Sequence, residues 1–134
     1  MSNFIYHYVF TTYKRKSILT DPEIVQFLYA TFSNIAAQKG FSIITCKILE
    51  DHVHCLIGFD LRHRHDYVIR MIKGISSREF FKAYTTNRLI FRKLWGRGYY
   101  GEKIDKNKLT AVINYINSQV DESGYDKRYN INIK

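Results

Sequence analysis

The sequence predicts an α+β fold in which an antiparallel sheet carries its helices on one face. Segments with strand-like composition and segments with helical periodicity follow one another in the order βαββαβα, which is the ferredoxin-like pattern. The chain has 134 residues, of which 46% are hydrophobic, and this is enough to bury one core. We therefore expect residues 1–134 to form a single domain.

The first strand and the first helix are predicted from residue type and capping signals. Phe4–Thr12 is rich in β-branched and aromatic residues, which favour strands. Asp21, Pro22 and Glu23 predict a helix start, because Asp is a good N-cap, proline fits the first turn and an acidic residue complements the helix dipole. Apolar residues then recur at helical spacing up to Gly40, the expected C-cap.

The remaining elements follow from the same signals. Phe41–Leu49 and His52–Phe59 are predicted as strands, and the two residues between them predict a tight hairpin. Asp66–Tyr84 has apolar residues at helical spacing, Leu94–Ile104 is predicted as a strand with a glycine-loosened start, and Asn107–Asp121 is predicted as the last helix. The polar tail that follows is assigned no element.

Composition argues against several protein classes. No run of about 18 apolar residues is present, so no membrane span is predicted. The first residues lack the basic and apolar regions of a secretory signal. Cys46 and Cys55 lack metal-binding or redox spacing and lie in apolar runs, which predicts buried free thiols. We expect a cytoplasmic protein.

The net charge of +9 is concentrated in the middle of the chain. Between Arg62 and Lys108 there are 13 basic and 4 acidic residues, so this stretch accounts for the whole excess. Aromatic residues make up 16% of the sequence, and aromatics interleaved with cations suit single-stranded nucleic acid. The alternative is an ordinary solvated basic surface over a tyrosine-rich core.

The sharpest local motif is Asp51-His52-Val53-His54. Residues two apart on a strand share a face, so His52 and His54 point the same way while Val53 points to the core. Two imidazoles on one face form half of a divalent metal site. Two partly exposed histidines without a ligand would give the same motif.

The last predicted helix carries a tyrosine and a glutamine one turn apart. Tyr115 and Gln119 lie on the flank of its apolar stripe. A tyrosine in that position is either a packing residue with a hydrogen-bonded hydroxyl or a nucleophile beside a neutral metal ligand. The stripe consists of Leu109, Val112, Ile113, Ile116 and Val120.

These motifs together resemble a known family. DHVHCLI resembles the histidine–hydrophobe–histidine (HUH) strand of the single-tyrosine HUH transposases, small enzymes of insertion sequences that transpose as single-stranded DNA. NYINSQ resembles the catalytic helix motif of that family. The segments YHYVFTTYKRK, IKGISSREF and LWGRGYY also match in the family's order, so the resemblance covers nearly the whole chain.

The resemblance implies roles for four residues. Tyr115 would be the nucleophile that forms a 5′-phosphotyrosine intermediate, and His52, His54 and Gln119 would hold Mg²⁺ or Mn²⁺. No nucleotide cofactor is expected, because the chain has no phosphate-binding loop. Asp51 would orient His52, approach the ion or form the turn. The implied function is metal-dependent cleavage and rejoining of single-stranded DNA at hairpin-bearing element ends.

The resemblance also implies partners. It implies a homodimer with composite active sites, in which one subunit's tyrosine helix serves the other subunit's histidines, and a basic surface that binds DNA hairpins. For the basic side chains in this set, plain solvated charge is the alternative. The candidate DNA contacts are Lys14, Arg15, Lys73, Ser76, Ser77, Arg78, Lys82 and Arg92.

The sequence departs from the family in two places and leaves two alternatives open. GFDLRHRHDYV lacks the proline pair often found after the HUH strand, and GYYGEKIDKNKL lacks the usual glycine-valine-serine run before the tyrosine helix. One alternative function is a domesticated, repeat-associated HUH endonuclease with the same chemistry. The other is a non-catalytic module that binds single-stranded nucleic acid.

Overall fold

The computed structural model describes residues 2–84, 93–119, 125–126 and 131–132. The predicted order βαββαβα is confirmed, and a two-stranded pair follows it in the tail, where the sequence predicts no element. The elements are β1 (Phe4–Thr11), α1 (Pro22–Lys39), β2 (Ser42–Ile48), β3 (His52–Phe59), α2 (His65–Ala83), β4 (Tyr100–Lys103), α3 (Leu109–Asn117), β5 (Tyr125–Asp126) and β6 (Ile131–Asn132).

Four strands form one antiparallel sheet in the order β2-β3-β1-β4. The hairpin between β2 and β3 is the predicted one. Helix α1 connects β1 to β2 and helix α2 connects β3 to β4, so each helix carries the chain over a face of the sheet. The sheet therefore has β1 and β3 at its centre, and β3 is buried along its whole length.

The two central strands bury both of their faces. Tyr8 of β1 and Val53 of β3 belong to the larger core, which α1 and α2 cover as predicted. Ile5 and Leu56 point the other way and pack on Val112 of α3. The prediction that the helices pack on one face of the sheet is therefore correct for α1 and α2. Helix α3 lies on the opposite face, because the apolar residues on the second face of the central strands also have to be covered.

Helix α1 begins and ends as its capping residues predict. The Asp21 carboxylate accepts a hydrogen bond of 2.9 Å from the Glu23 N–H, which satisfies one of the unpaired donors at the helix start. Gly40 has φ 82°, and its N–H donates to the Ala36 carbonyl. A residue with a Cβ would be strained in that left-handed conformation, so glycine ends the helix.

Two predicted elements are shorter in the structure. The predicted strand Leu94–Ile104 is reduced to β4, and Trp95 makes only an isolated bridge to Thr12. Gly98 has φ 80°, so the chain turns before β4 begins. Lys73 of α2 fixes that turn, since its Nζ donates to the carbonyls of Gly96 and Gly98 at 2.9 and 2.6 Å.

The predicted helix Asn107–Asp121 is also shorter. It starts as a 3₁₀ turn over Lys106–Lys108, and α3 ends at Asn117. The Ser118 hydroxyl donates to the Tyr115 carbonyl at 2.8 Å, and such a local bond competes with continued helical hydrogen bonding. Gln119 therefore follows the helix rather than belonging to it, and residues 120–121 lie outside the described residues.

None of the helices in the described ranges is long and apolar enough to cross a membrane. Neither Cys46 nor Cys55 forms a disulfide, and Cys55 is fully buried while Cys46 is half-buried. The two thiols lie opposite each other across β2 and β3.

The packing of the core predicts different effects on stability for the substitution of two leucines. Leu28 of α1 is fully buried, whereas Leu61 is 73% exposed. We expect Leu28→Ala to lower the free energy of unfolding by about 3 kcal/mol, because it removes buried methyl groups and leaves a cavity. Leu61→Ala should change it by no more than about 0.5 kcal/mol. Urea denaturation followed by circular dichroism measures both, and equal losses would contradict this description of the core.

Candidate active site

The two histidines of the predicted motif lie side by side on the face of β3 that α3 covers. The ring centroids of His52 and His54 are 5.2 Å apart. Val53 between them points into the main core, as the strand period requires. His52 is 5% exposed and His54 is fully buried, so both imidazoles are held by packing rather than solvated.

His52 is held by a buried ion pair. Its Nδ1 lies 2.8 Å from Asp51 Oδ1, and Arg15 Nε donates to Asp51 Oδ2, also at 2.8 Å. Arg15 reaches Asp51 because Lys14 and Arg15 have φ values of 53° and 55°, which turn the chain back after β1. Such left-handed conformations are costly for residues with a Cβ. Arg15, predicted as a DNA contact, here neutralises the carboxylate behind His52.

Two pKa shifts favour metal-binding protonation states. Burial opposes ionisation of Asp51, but hydrogen bonds from Arg15 and His52 outweigh it and lower the pKa of the Asp51 carboxyl below its ordinary value. Burial, with the neighbouring His7 and His52, lowers the pKa of His54 to about 2. At neutral pH the site therefore contains a carboxylate and a neutral His54 imidazole, and neutral imidazole is the form that binds metals.

His7 is a site residue that the sequence did not predict. It is fully buried on β1, and its Nε2 lies 3.0 Å from His54 Nδ1, with ring centroids 5.2 Å apart. The register places Val9 opposite His54, so His7 is the diagonal neighbour of His54. The available signal was a polar residue among the apolar positions of FIYHYVF, and this signal is weak without the strand register.

Tyr115 faces these histidines from α3 of the same chain. The centroid of its ring lies 6.1 Å from that of His54 and 6.4 Å from that of His7, with the rings edge to face. The Gln119 Nε2 donates to the Tyr115 carbonyl at 3.1 Å, which places the glutamine against the end of α3. Asn117 also accepts a hydrogen bond of 2.9 Å from Thr45 of β2, which ties the end of α3 to the sheet.

Five predicted DNA contacts lie on α2, on the other side of the sheet, and three of them are at least partly buried, namely Lys73, Ser76 and Ser77. Lys73 holds the turn before β4, and burial lowers the pKa of its ammonium group. Ser76 is fully buried and accepts a hydrogen bond from Trp95 Nε1 at 2.9 Å. Ser77 lines a cavity of about 460 Å³ between α2 and the Trp95–Tyr99 segment. Lys73 and Ser76 therefore stabilise the fold, and none of the three joins the histidines.

The other predicted DNA contacts that the structure describes, Lys14, Arg78 and Lys82, are surface charges. Lys14 is exposed, with its Nζ 5.6 Å from the centroid of the Tyr13 ring. The side chains of Arg78 and Lys82 are 68% and 69% exposed, and both lie within 4 Å of the Glu79 carboxylate. Arg92 lies outside the described residues.

The donor atoms near Tyr115 suit a hard divalent cation only in part. His52 and His54 each have Nδ1 in a hydrogen bond, so a metal would be held through the Nε2 atoms, and the Gln119 amide could add an oxygen. Within the described ranges, no group of three or more His, Cys, Asp or Glu is placed to hold a metal. Mg²⁺ prefers six ligands, so a DNA phosphate and water would complete the set.

The fold and the site define a class of protein. A ferredoxin-like sheet with an HxH strand facing a tyrosine helix is the arrangement that the HUH resemblance implied. Residues 1–119 match the family described as "Transposase IS200 like". The chain belongs to the IS200-like transposase family, and it is thus a DNA-processing enzyme. The resemblance to small transposases of insertion sequences is confirmed.

Individual relatives agree with this family. The chain is 29% identical to the ISDra2 transposase TnpA of Deinococcus radiodurans over 119 residues, which are 87% of this chain and 84% of the relative. A solved structure assigned as a transposase from Deinococcus radiodurans R1 has a TM-score of 0.70 and 25% identity, covering 88% of this chain and 92% of that one. The REP-associated tyrosine transposase bound to a REP hairpin shares the fold, with a TM-score of 0.65, 15% identity and coverage of 87% and 66%.

The buried ion pair behind His52 makes a stability prediction. Arg15→Leu leaves the Asp51 carboxylate buried without its cation, so we expect a loss of about 3 kcal/mol in the free energy of unfolding at pH 7. Because the pKa of Asp51 is lower in the folded state, its ionised carboxylate stabilises the fold above about pH 4. This stabilisation is lost as the pH falls through the folded-state pKa. The difference in the free energy of unfolding between wild type and Arg15→Leu should therefore become smaller at acid pH.

Arg64→Leu is the matched control for this prediction. Arg64 pairs with Asp66 at 3.2 Å, but its side chain is 84% exposed against 9% for Arg15. Its removal should cost less than about 1 kcal/mol. Urea denaturation at several pH values measures both variants. A loss in Arg15→Leu no larger than in Arg64→Leu would contradict a buried, structurally important pair.

Proposed function

We propose that this chain is a metal-dependent single-stranded DNA transposase that cleaves and rejoins hairpin-bearing ends through a 5′-phosphotyrosine intermediate. The observation that carries the proposal is the convergence of Tyr115 with the His52–His54 pair on one face of the sheet. A module that only binds DNA has no need of a tyrosine facing two held histidines. Membership of the IS200-like transposase family supports the same conclusion.

The proposed reaction conserves the phosphodiester bond energy. The Tyr115 phenolic oxygen attacks the scissile phosphorus, a P–O bond to tyrosine forms, and the bond to the 3′ oxygen breaks and leaves a free 3′-OH. The phenol loses its proton in this step, and since its ordinary pKa is about 10, it needs activation near neutral pH. Attack of a 3′-OH on the phosphotyrosine reverses the step and rejoins strands without a nucleotide cofactor.

The residues around Tyr115 prepare the site for the metal. We assign His52, His54 and Gln119 as ligands of Mg²⁺ or Mn²⁺, which, when bound, would polarise the scissile phosphate and offset its developing charge. Asp51 accepts the Nδ1 proton of His52, which leaves the Nε2 lone pair of that ring available as a ligand. Arg15 holds Asp51 in this role.

Hairpin binding is proposed from charge and from fold. The excess of positive charge lies between Arg62 and Lys108, where exposed cations can contact phosphates. A protein of the same fold has been solved bound to a REP hairpin. A repeat-associated endonuclease would use the same chemistry on chromosomal hairpins, and the DNA that is cut distinguishes it from an element's own transposase.

The covalent intermediate makes the central prediction. Wild type incubated with Mg²⁺ or Mn²⁺ and a hairpin-bearing single strand should form an adduct that survives SDS gel electrophoresis. Because the tyrosine takes the 5′ phosphate, a label on the 3′ end of the DNA should move with the protein, whereas a label on the 5′ end should appear in a shorter free strand. Tyr115→Phe and His52→Ala should each abolish the adduct, and EDTA should prevent it.

The control for this prediction is Tyr99→Phe. Tyr99 is 41% exposed and contacts Tyr8 on the opposite side of the sheet, so its loss should leave the adduct intact. An adduct that persists in Tyr115→Phe would overturn the assigned nucleophile. If the 5′-labelled strand moved with the protein, the polarity of the proposed linkage would be wrong. A library of hairpins with varied flanking sequence guards against the choice of an inactive substrate.

We propose further that the working unit is a homodimer with composite sites. In the structure α3 packs on its own sheet through a small apolar cluster centred on Val112 and Ile116. Residues 104–108 join it to β4; Ile104 belongs to that cluster, and residues 105–108 are exposed. Exchange of identical elements between two copies reproduces the same contacts, so a partner's α3 can occupy this position at little cost.

Heterodimers test the composite arrangement. His52→Ala and Tyr115→Phe chains carrying different tags are co-expressed and purified through both tags. If each tyrosine serves the partner's histidines, one site of two is intact, and about half of the wild-type adduct should form. If each tyrosine serves its own histidines, both sites are defective and no adduct forms. Failure to recover any doubly tagged species would contradict the dimer.

A further inference from the structure

We infer that His7 is a positioning residue that stabilises the tautomer of His54 needed for metal binding, by accepting a hydrogen bond from His54 Nδ1. The inference rests on the proposed function, because it assigns a role towards the metal that His52 and His54 are proposed to hold. His7 lies on β1, belongs to neither the HxH motif nor the tyrosine-helix motif, and has no direct part in the reaction proposed above. Its effect is exerted through His54.

The geometry leaves room for one proton between the two rings. His7 Nε2 and His54 Nδ1 are 3.0 Å apart, a distance at which one nitrogen donates and the other accepts. The rings are inclined by only 21°, and both are fully buried, so neither can rotate towards solvent. The proton therefore belongs either to His54 Nδ1 or to His7 Nε2.

Only one of these two arrangements allows His54 to bind a metal. A neutral imidazole carries one proton, so a proton on Nδ1 of His54 leaves the Nε2 lone pair free to act as a ligand. If His7 donates instead, the proton of His54 lies on Nε2 and blocks coordination. His7 must therefore accept from His54 through Nε2, and its own proton must lie on Nδ1.

The two proposed ligand histidines are thus supported by different chemistry. Asp51 is ionised at neutral pH and can only accept, so the proton of His52 that it binds lies on Nδ1 whether or not a metal is present. His7 can accept or donate, so it permits either tautomer of His54 and stabilises the ligand form when the metal binds. This difference predicts that metal coordination by His54 is more easily lost than coordination by His52.

The position of the proton can be measured in the wild type. In the Mg²⁺-loaded protein labelled with ¹⁵N, we expect a scalar coupling between His54 Nδ1 and His7 Nε2 across the hydrogen bond. The shared proton should show its one-bond coupling to His54 Nδ1. A one-bond coupling to His7 Nε2 would overturn the inference, and this measurement does not require a variant that folds.

Variants measure the size of the effect. His7→Leu removes the acceptor at similar volume and should weaken Mn²⁺ binding about 10- to 100-fold, as measured by electron paramagnetic resonance. His7→Gln keeps an acceptor on a side chain of similar length and should recover most of the affinity. His63→Leu is the matched control, since His63 packs on Phe41 and Tyr67 on the other face of the sheet, and it should bind as wild type does.

The outcomes separate this inference from the proposed function. Unchanged Mn²⁺ affinity in His7→Leu, or a loss in His7→Gln equal to that in His7→Leu, would overturn the role of His7 while the metal site stands. Absence of Mn²⁺ binding by wild type in the presence of hairpin DNA would overturn both. Circular dichroism of each variant shows whether a loss of affinity reflects a loss of fold.

Discussion

Burial of β3 on both faces is the constraint on which the rest of the structure depends. One face of the strand carries Val53 and Cys55 into the core beneath α1 and α2, and the other carries His52, His54 and Leu56 towards α3. A strand covered on only one side would leave its histidines in solvent, where they would be mobile and well hydrated. Cover on both sides fixes the imidazoles in place and makes their hydrogen-bond partners obligatory.

The buried polar groups of this face are arranged as two short chains that meet at the histidine pair. One chain runs from Arg15 through Asp51 to His52, and the other runs from His7 to His54. In each chain an imidazole Nδ1 is engaged in a hydrogen bond, so the proposed metal would bind the opposite nitrogen. The left-handed backbone at Arg15 is energetically unfavourable, but it allows the Arg15 side chain to form the buried ion pair with Asp51.

The sequence predicted those features that depend on local pattern. Strand alternation gave the shared face of His52 and His54, capping residues gave both ends of α1, and the motif order led to Tyr115. Features that depend on strand register or chain reversal could not be predicted. His7 meets His54 only through the β1–β3 register, and Arg15 turns away from solvent only because two residues take positive φ. Helix α3 covers the second face because Ile5 of β1 and Leu56 of β3 have to be buried there.

The charged residues show the same division between what the sequence predicts and what depends on the fold. The sequence placed the whole excess charge in one stretch, but the structure gives the members of that stretch different roles, with Lys73 holding two carbonyls while Arg64, Arg78 and Lys82 remain at the surface. Arg15, outside that stretch, supports the site instead. The charge count therefore indicates a field that attracts a polyanion, whereas the proposed chemistry belongs to a pair of buried histidines outside the charged stretch. Because the pKa of His54 is lowered to about 2 by burial and by the neighbouring His7 and His52, that ring is neutral at pH 7, so a dication would meet no positive charge on it.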